Sequence, residues 1–405
     1  MDVRGRDLAL PVLAAGGCAL LFGALGMLTP AFTDYELEAE PSLQALRAGD
    51  WQGFLELAPA YGGSLVLRAP FAFLPDLWGG GDHALFRSMA VPCLLACALL
   101  AVGLWRRARS LGRSGLTCWI VLGLVAANPL IMPALDIGHP EELLGAVLCI
   151  AAALAAARDR AVLAGVLIGL AVANKPWAVL AVVPLLVILR TGWPRLLLAA
   201  ASAATLVMVP LALAGGAVEQ ASSVARDAGQ IFQPWQLWWF LGEPGHVVVG
   251  NFGEKPDYRV PPGWLTGVAH PLLVLVPGAV SLALLPRLRR RPWHDGLLLL
   301  AFALLLRCVL DPWNISYYSL PFLFALVTWE LHARSRPPVL SLAVTLLSWV
   351  SLVWLTTRVH PDIQAAAYLA WSVPLVALMG GSLLGLGPSR ATGSVRARAA
   401  LSESG

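Results

Sequence analysis

The chain has two lysines in 405 residues, Lys175 and Lys255, and Lys175 stands where a cation can do chemistry. It lies between Asn174 and Pro176, with apolar runs at 161–173 and 177–189 whose far ends stop at Arg158/Arg160 and Arg190. Crossing a bilayer takes about 20 apolar helical residues, and each run is clearly shorter than that. At about 1.5 Å of rise per residue, neither reaches across a hydrocarbon core of roughly 30 Å. Pro176 biases Lys175 away from helical backbone. Asn174 can close the first half-helix in a left-handed turn, and Pro176 suits the first turn of the second. The spacing predicts a broken helical hairpin with an ammonium at its tip, beside the N–H groups that a helix start leaves open. That pairing suits an anion, a phosphate above all. The plainer alternative is a helix-end lysine snorkelling to lipid headgroups.

Other polar residues gather in three short stretches. Asp136, His139, Glu141 and Glu142 form a polar knot just before the hairpin; Asp34, Glu36, Glu38 and Glu40 follow the first apolar run; Arg307, Asp311, Trp313, Tyr317 and Tyr318 sit together near the chain's last third. Each has a structural rival. His139 and Glu141 can cap a helix start, Arg307 can pair with Asp311 one turn on, and Asp34 can be one solvated acid among several. No Walker loop, HExxH, GxSxG, strand-flanked GxGxxG or DxD sequence occurs, which argues against ATP-driven transport and nucleotide-sugar chemistry. Cys93 and Cys97 share a helix face without a His or carboxylate to complete a metal site; no cofactor is called for, and a divalent-metal requirement is left open.

The elements that must position these groups are apolar helices. With 58% apolar and 13% charged residues and a mean hydropathy of +0.73, the composition is that of a polytopic membrane protein. The net charge of +4 comes from short arginine clusters such as 106–113, 287–291 and 334–336. These read as the cytoplasmic side of the bilayer rather than a nucleic-acid patch. The expected fold is all-α, a transmembrane bundle of about twelve segments, forming one integral membrane domain over 1–388 with a disordered cytoplasmic tail at 389–405. Spans are expected at 8–28, 85–105, 116–135, 143–157, the broken pair 161–189, 196–214, 265–285, 297–310, 315–331, 339–357 and about 364–386. Both termini then face the cytoplasm, and the long loops 29–83 and 215–263 face outward with the polar groups. The first loop carries short apolar stretches at 41–48, 51–57 and 65–74, suited to interfacial helices. The second carries an aromatic stretch, 232–240, best read as an interfacial belt.

This order of features resembles the GT-C glycosyltransferases, in particular the polyprenyl-phosphate-mannose-dependent, glycosyltransferase 87-like branch of actinobacteria. The resemblance rests on Thr33-Asp34-Tyr35-Glu36 after the first span, on Gly138-His139-Pro140-Glu141-Glu142, on 164–170 running into Asn174-Lys175-Pro176, and on Pro312-Trp313-Asn314-Ile315-Ser316-Tyr317-Tyr318. His139 departs from the glutamine frequent there. The resemblance implies a bacterial plasma-membrane transferase that moves a sugar, mannose in that branch, from a polyprenyl-phosphate donor to a lipid or glycan acceptor outside the cell. Asp34 would be the base of an inverting displacement, and Lys175, Arg307 and His139 would hold the donor phosphate. Glu36, Asp136, Glu141, Trp313, Tyr317 and Tyr318 would line the substrate site. A transporter or flippase of a lipid-linked or anionic solute is the competing expectation, although no second broken pair of short spans supports it.

Overall fold

The computed structural model describes residues 3–28, 34–77, 79–215, 232–245, 247–248, 254–255 and 257–386. The expected tail, the start of the first outer loop and most of 216–253 lie outside the described residues. The fold is almost wholly helical. Helix α1 (Val3–Leu28) is followed by a π-helical turn (Tyr35–Ala39) and three short helices, α2 (Glu40–Arg47), α3 (Trp51–Glu56) and α4 (Gly62–Arg68), then a 3₁₀ segment (Ala69–Leu77). The expected short helices of this first loop are thus present, and they share a core of their own. Tyr35, Leu43, Leu46, Phe54 and Leu65 pack there against Leu85, Phe86 and Met89 of the next helix.

Helix α5 (Asp82–Ser110) leads to α6 (Gly115–Ala126) and α7 (Ile131–Ile137). The third expected span is broken between these two by Asn128. Its amide donates to the Leu124 carbonyl at 3.0 Å and accepts from the Leu130 N–H at 3.1 Å, replacing helical bonds at the break. Then come α8 (Glu141–Ala156), α9 (Ala161–Asn174), a 3₁₀ segment (Pro176–Ala181), α10 (Val182–Ile188) and α11 (Trp193–Ala214). Helices α12 (Gly263–Leu288), α13 (Asp295–Leu310), α14 (Leu320–Ala333), α15 (Val339–Trp349) and α16 (Pro361–Leu384) complete the described bundle. Two small antiparallel ladders, Glu243–Pro244 with Arg259–Val260 and Val247–Val248 with Glu254–Lys255, depart from the all-helical expectation in the second long connection.

Among the described residues six stretches are long and apolar enough to cross a membrane: Leu8–Gly26, Asp82–Ser110, Gly115–Ile137, Trp193–Ala214, Pro271–Leu288 and Pro361–Leu384. The apolar stretches Ala161–Asn174, Pro176–Ile188 and Val339–Trp354 are shorter. Helices α8 and α13 have 16 residues and α14 has 14, so they reach only about 24 Å. These three are buried on nearly every face, which explains why their sequences are apolar all round. They form the middle of the bundle, and the long helices lie outside them.

The hairpin is seated by small residues. A Cβ on Gly165 would meet the Leu196 carbonyl and one on Gly169 the Ala200 carbonyl, so α9 lies backbone-close against α11. On its other side, a Cβ on Gly63 would meet the carbonyl of Ala173. Helix α4 therefore abuts the last turn of α9, and the first long connection is brought to the hairpin tip.

Candidate active site

Four stretches distant in sequence converge on Glu141. Helix α7 ends at Gly138 in the left-handed conformation, φ +98°, which favours glycine. A Cβ there would stand 3.2 Å from the Tyr35 backbone nitrogen, so Asp34 is held against the turn that carries His139. The imidazole spans two carboxylates: Nε2 lies 3.3 Å from Asp34 Oδ2, and Nδ1 lies 2.8 Å from Glu141 Oε1. Burial and the Lys175 ammonium oppose a charge on His139. The Glu141 and Asp34 carboxylates outweigh both and raise its pKa from 6.5 to about 9. At neutral pH the ring is an imidazolium that donates from both nitrogens.

Glu141 is 1% exposed, and a carboxylate in that position needs partners, since an unpaired buried ion costs several kcal/mol. Besides His139, Lys175 Nζ lies 3.0 Å from Oε1 and Arg68 Nη2 lies 3.3 Å from Oε2. Arg68 also donates to the carbonyls of Ser64 at 3.2 Å and Met89 at 3.1 Å. Lys175 Nζ is 3.8 Å from Glu142 Oε1 and sits 4.2 Å from the centre of the Tyr61 ring. The lysine is therefore not a snorkelling side chain; it is the tip of a buried ion cluster.

The break in the hairpin is real, and its mechanism differs from the expected left-handed turn at Asn174. Asn174 remains helical, and Lys175 is extended at φ −151° and ψ 123°. Among the described non-glycine residues only Asp159 and Asp257 have positive φ. The proline after Lys175 enforces the extended backbone, which frees the Asn174 amide for another task. Its Nδ2 donates to the Glu141 carbonyl at 2.9 Å, and its Oδ1 accepts from Ser64 Oγ at 2.9 Å. Asn174 thereby ties the hairpin tip, the start of α8 and α4 together.

Of the other expected site residues, Arg307 on α13 comes close. Its guanidinium carbon lies 4.3 Å from the Tyr318 ring centre and 5.1 Å from that of Trp177. Trp177 in turn donates from Nε1 to Glu142 Oε1 at 3.3 Å. The Asp311 charge one turn on also acts on Arg307, so ring stacking and a nearby carboxylate hold the guanidinium together. Tyr317 places its ring 5.3 Å from that of His139 and 5.2 Å from that of Tyr318. Three expected residues stand farther off. Glu36 is exposed, Asp136 faces the Arg87 charge on α5, and the Trp313 N–H donates to Asp311 Oδ1 at 2.9 Å.

Sequence reasoning missed Arg68, Tyr61, Ser64 and Trp177. Arg68 carried a signal, because it is an arginine inside the apolar run 65–74, where a charge demands a partner. The aromatic stretch at 232–240 also proves more than a belt. Leu237 N–H donates to the Val309 carbonyl at 2.8 Å, and Trp238 Nε1 donates to that of Leu310 at 2.8 Å. It therefore caps the carbonyls that end α13.

The family model of Glycosyltransferase family 87 matches residues 63–312. That range holds Ser64, Arg68, His139, Glu141, Glu142, Asn174, Lys175, Trp177 and Arg307, and it starts after Asp34 and Tyr61. No curated protein matches the chain.

Proposed function

Because the chain belongs to glycosyltransferase family 87, we propose that it moves a sugar from a polyprenyl-phosphate donor to a lipid or glycan acceptor, on the outer face of a bacterial plasma membrane, with inversion. The observation that carries this reading is the set of cations gathered at the hairpin tip. Arg68, His139 and Lys175 surround Glu141, and Arg307 stacks nearby on Trp177 and Tyr318. A sugar phosphodiester brings one negative charge, and cleavage adds a second as the phosphate leaves. Cations held in place beside that phosphate stabilise the growing charge more than they stabilise the bound ground state.

In this mechanism Asp34 is the base. Its side chain is 22% exposed, the most open acid of the three, and the imidazolium fixes its orientation. The acceptor oxygen bonds to the anomeric carbon and its proton passes to Asp34. The bond from that carbon to the phosphate oxygen breaks, and the oxygen keeps the electron pair. The acceptor's proton moves late in an oxocarbenium-like transition state, so a carboxylate placed to receive it suffices. Lys175 and Arg307 face the phosphate. Both nitrogens of His139 are engaged by carboxylates, so it acts on the phosphate by charge alone. Mannose remains the expected sugar of this branch, and about twelve segments with cytoplasmic termini remain the proposed topology.

The test is purified protein in detergent with a polyprenyl-phosphate hexose and candidate acceptors. Asp34→Asn should fold and bind donor yet lose product formation by a factor of roughly 1,000. Lys175→Ala should weaken donor binding and slow transfer together. Wild-type protein that binds the donor and forms no product with any acceptor would favour the flippase reading; near-normal turnover by Asp34→Asn would remove Asp34 as base.

A further inference from the structure

Two buried, oppositely charged groups beside the cluster face each other without touching. Glu142 is 1% exposed and Arg307 is 6% exposed. The Glu142 carboxylate lies within electrostatic reach of Arg307, and among the described residues no ion pair within 4.0 Å joins them. Both meet the same indole: Trp177 donates to Glu142 Oε1 from Nε1 at 3.3 Å, and the Arg307 guanidinium carbon lies 5.1 Å from its ring centre. The two remaining polar ends have no hydrogen-bond partner within the protein: Glu142 Oε2 and Arg307 Nη1. Leaving a buried charged group unsatisfied is costly, and here an acceptor and a donor are left open on two side chains that share one indole.

The chemistry of the pair selects its occupant. A carboxylate oxygen needs a hydrogen-bond donor, and a guanidinium N–H needs an acceptor. A phosphate oxygen satisfies only the guanidinium and is repelled by the carboxylate. An alkyl chain satisfies neither. A hydroxyl group satisfies both at once, since it donates one proton and accepts through its lone pairs. We propose that Glu142 and Arg307 form a clasp for one hydroxyl of the donor's sugar ring, and that this clasp sets which sugar is transferred. The proposal rests on the glycosyl-donor reading above. It divides the site between the phosphate at Lys175 and the sugar beside Trp177, whose indole closes one side of the clasp. The other N–H groups of Arg307 remain for the phosphate.

The experiment uses full-length protein with a short-chain polyprenyl-phosphate hexose and the set of its monodeoxy analogues. Donor binding is read by thermal shift and transfer by kcat/KM. In the wild type one analogue should lose on the order of 100-fold in kcat/KM, the scale of a hydrogen bond to a charged group, while the others lose little. Glu142→Gln should fall on the full sugar and lose less than about 5-fold more on that one analogue, because the two changes remove the same interaction. Arg307→Lys should show the same collapse of discrimination, and it guards against a folding defect peculiar to the glutamine variant. If both variants keep the wild-type discrimination, or if no ring hydroxyl matters to the wild type, the clasp is wrong while the transferase reading stands. If donors bind without transfer, the same pattern is sought in binding and the transferase reading alone fails. If no donor binds, both fall.

Discussion

The two long connections of the chain return to the bundle by opposite physics. The first, 34–81, enters with ions. Arg68 reaches Glu141 at 3.3 Å, Asp34 meets His139 at 3.3 Å, and Ser64 holds Asn174 at 2.9 Å. The second, described from 232, enters with main-chain and indole bonds. The Gln233 N–H donates to the Pro312 carbonyl at 2.8 Å, and Asn314 Nδ2 donates to that of Trp235 at 2.6 Å. Among its described residues the close charged tie, Arg259 with Asp362 at 2.8 and 2.9 Å, is partly open to solvent. Buried ions tolerate almost no displacement, because each needs every partner. Half-exposed ties can be replaced by water. The first connection is therefore built to fix the buried ion cluster, and the second to close the ends of helices α13 and α16.

The largest effect should come from cutting the first connection at its ion. Arg68→Met keeps the apolar stem of the side chain, removes a partner from Glu141, and leaves the Ser64 and Met89 carbonyls without their guanidinium donor. Breaking a buried pair from one side costs about 3–5 kcal/mol, and thermal unfolding in detergent should show a loss on that scale together with lost transfer. A change near zero would mean that α4 is held by its apolar core alone, and the contrast between the connections would collapse.

A smaller effect is expected from pH, and its sign follows from His139. The carboxylates on both sides raise its pKa from 6.5 to about 9. The stability it contributes is present in full below about 6.5 and is lost as pH rises through about 9. Wild-type protein should lose thermal stability between about pH 8 and about pH 10, roughly one unit either side of that value. His139→Gln should be less stable at pH 7 and flatter across that window. A wild type that gains stability over this range would show that the ring is neutral and that Asp34 is oriented by something else.

Much of this arrangement was legible in the sequence. The Asn-Lys-Pro break, the short flanking runs and the Gly-His-Pro-Glu-Glu knot were read as one site because each places polar groups where apolar residues should continue. The short helices of the first connection were legible from proline and glycine punctuation. What escaped is what requires three dimensions. Arg68 joins Glu141 across 73 residues and Ser64 joins Asn174 across 110, and periodicity carries no information about such pairings. The left-handed turn assigned to Asn174 failed because a tertiary hydrogen bond claimed its side chain. Nor does periodicity separate burial in protein from burial in lipid: helices α8, α13 and α14, counted among the expected spans, are covered on nearly every face by their neighbours.

The smallest effect should come from the second connection, at Asp362. Its carboxylate accepts from Arg259 Nε and Nη2 and from Trp239 Nε1 at 2.7 Å, and the Asp362 side chain is 34% exposed. Asp362→Asn keeps one oxygen acceptor for the indole or the guanidinium and removes the charge. Water can serve whichever donor is left over. The pair is bidentate, which places it at the upper end of the surface range, about 1 kcal/mol, and the thermal midpoint should move by about two degrees or less. Phe232 still stacks on Trp239 at 5.5 Å, so the loop keeps its apolar footing. Transfer measured with the polyprenyl-phosphate donor should stay within about 3-fold of wild type, provided the only task of this connection is to close helix ends. Were Asp362→Asn to cost as much as Arg68→Met, the open ion pair would be holding reacting groups as firmly as the buried one, and the second connection would have to be counted as part of the site.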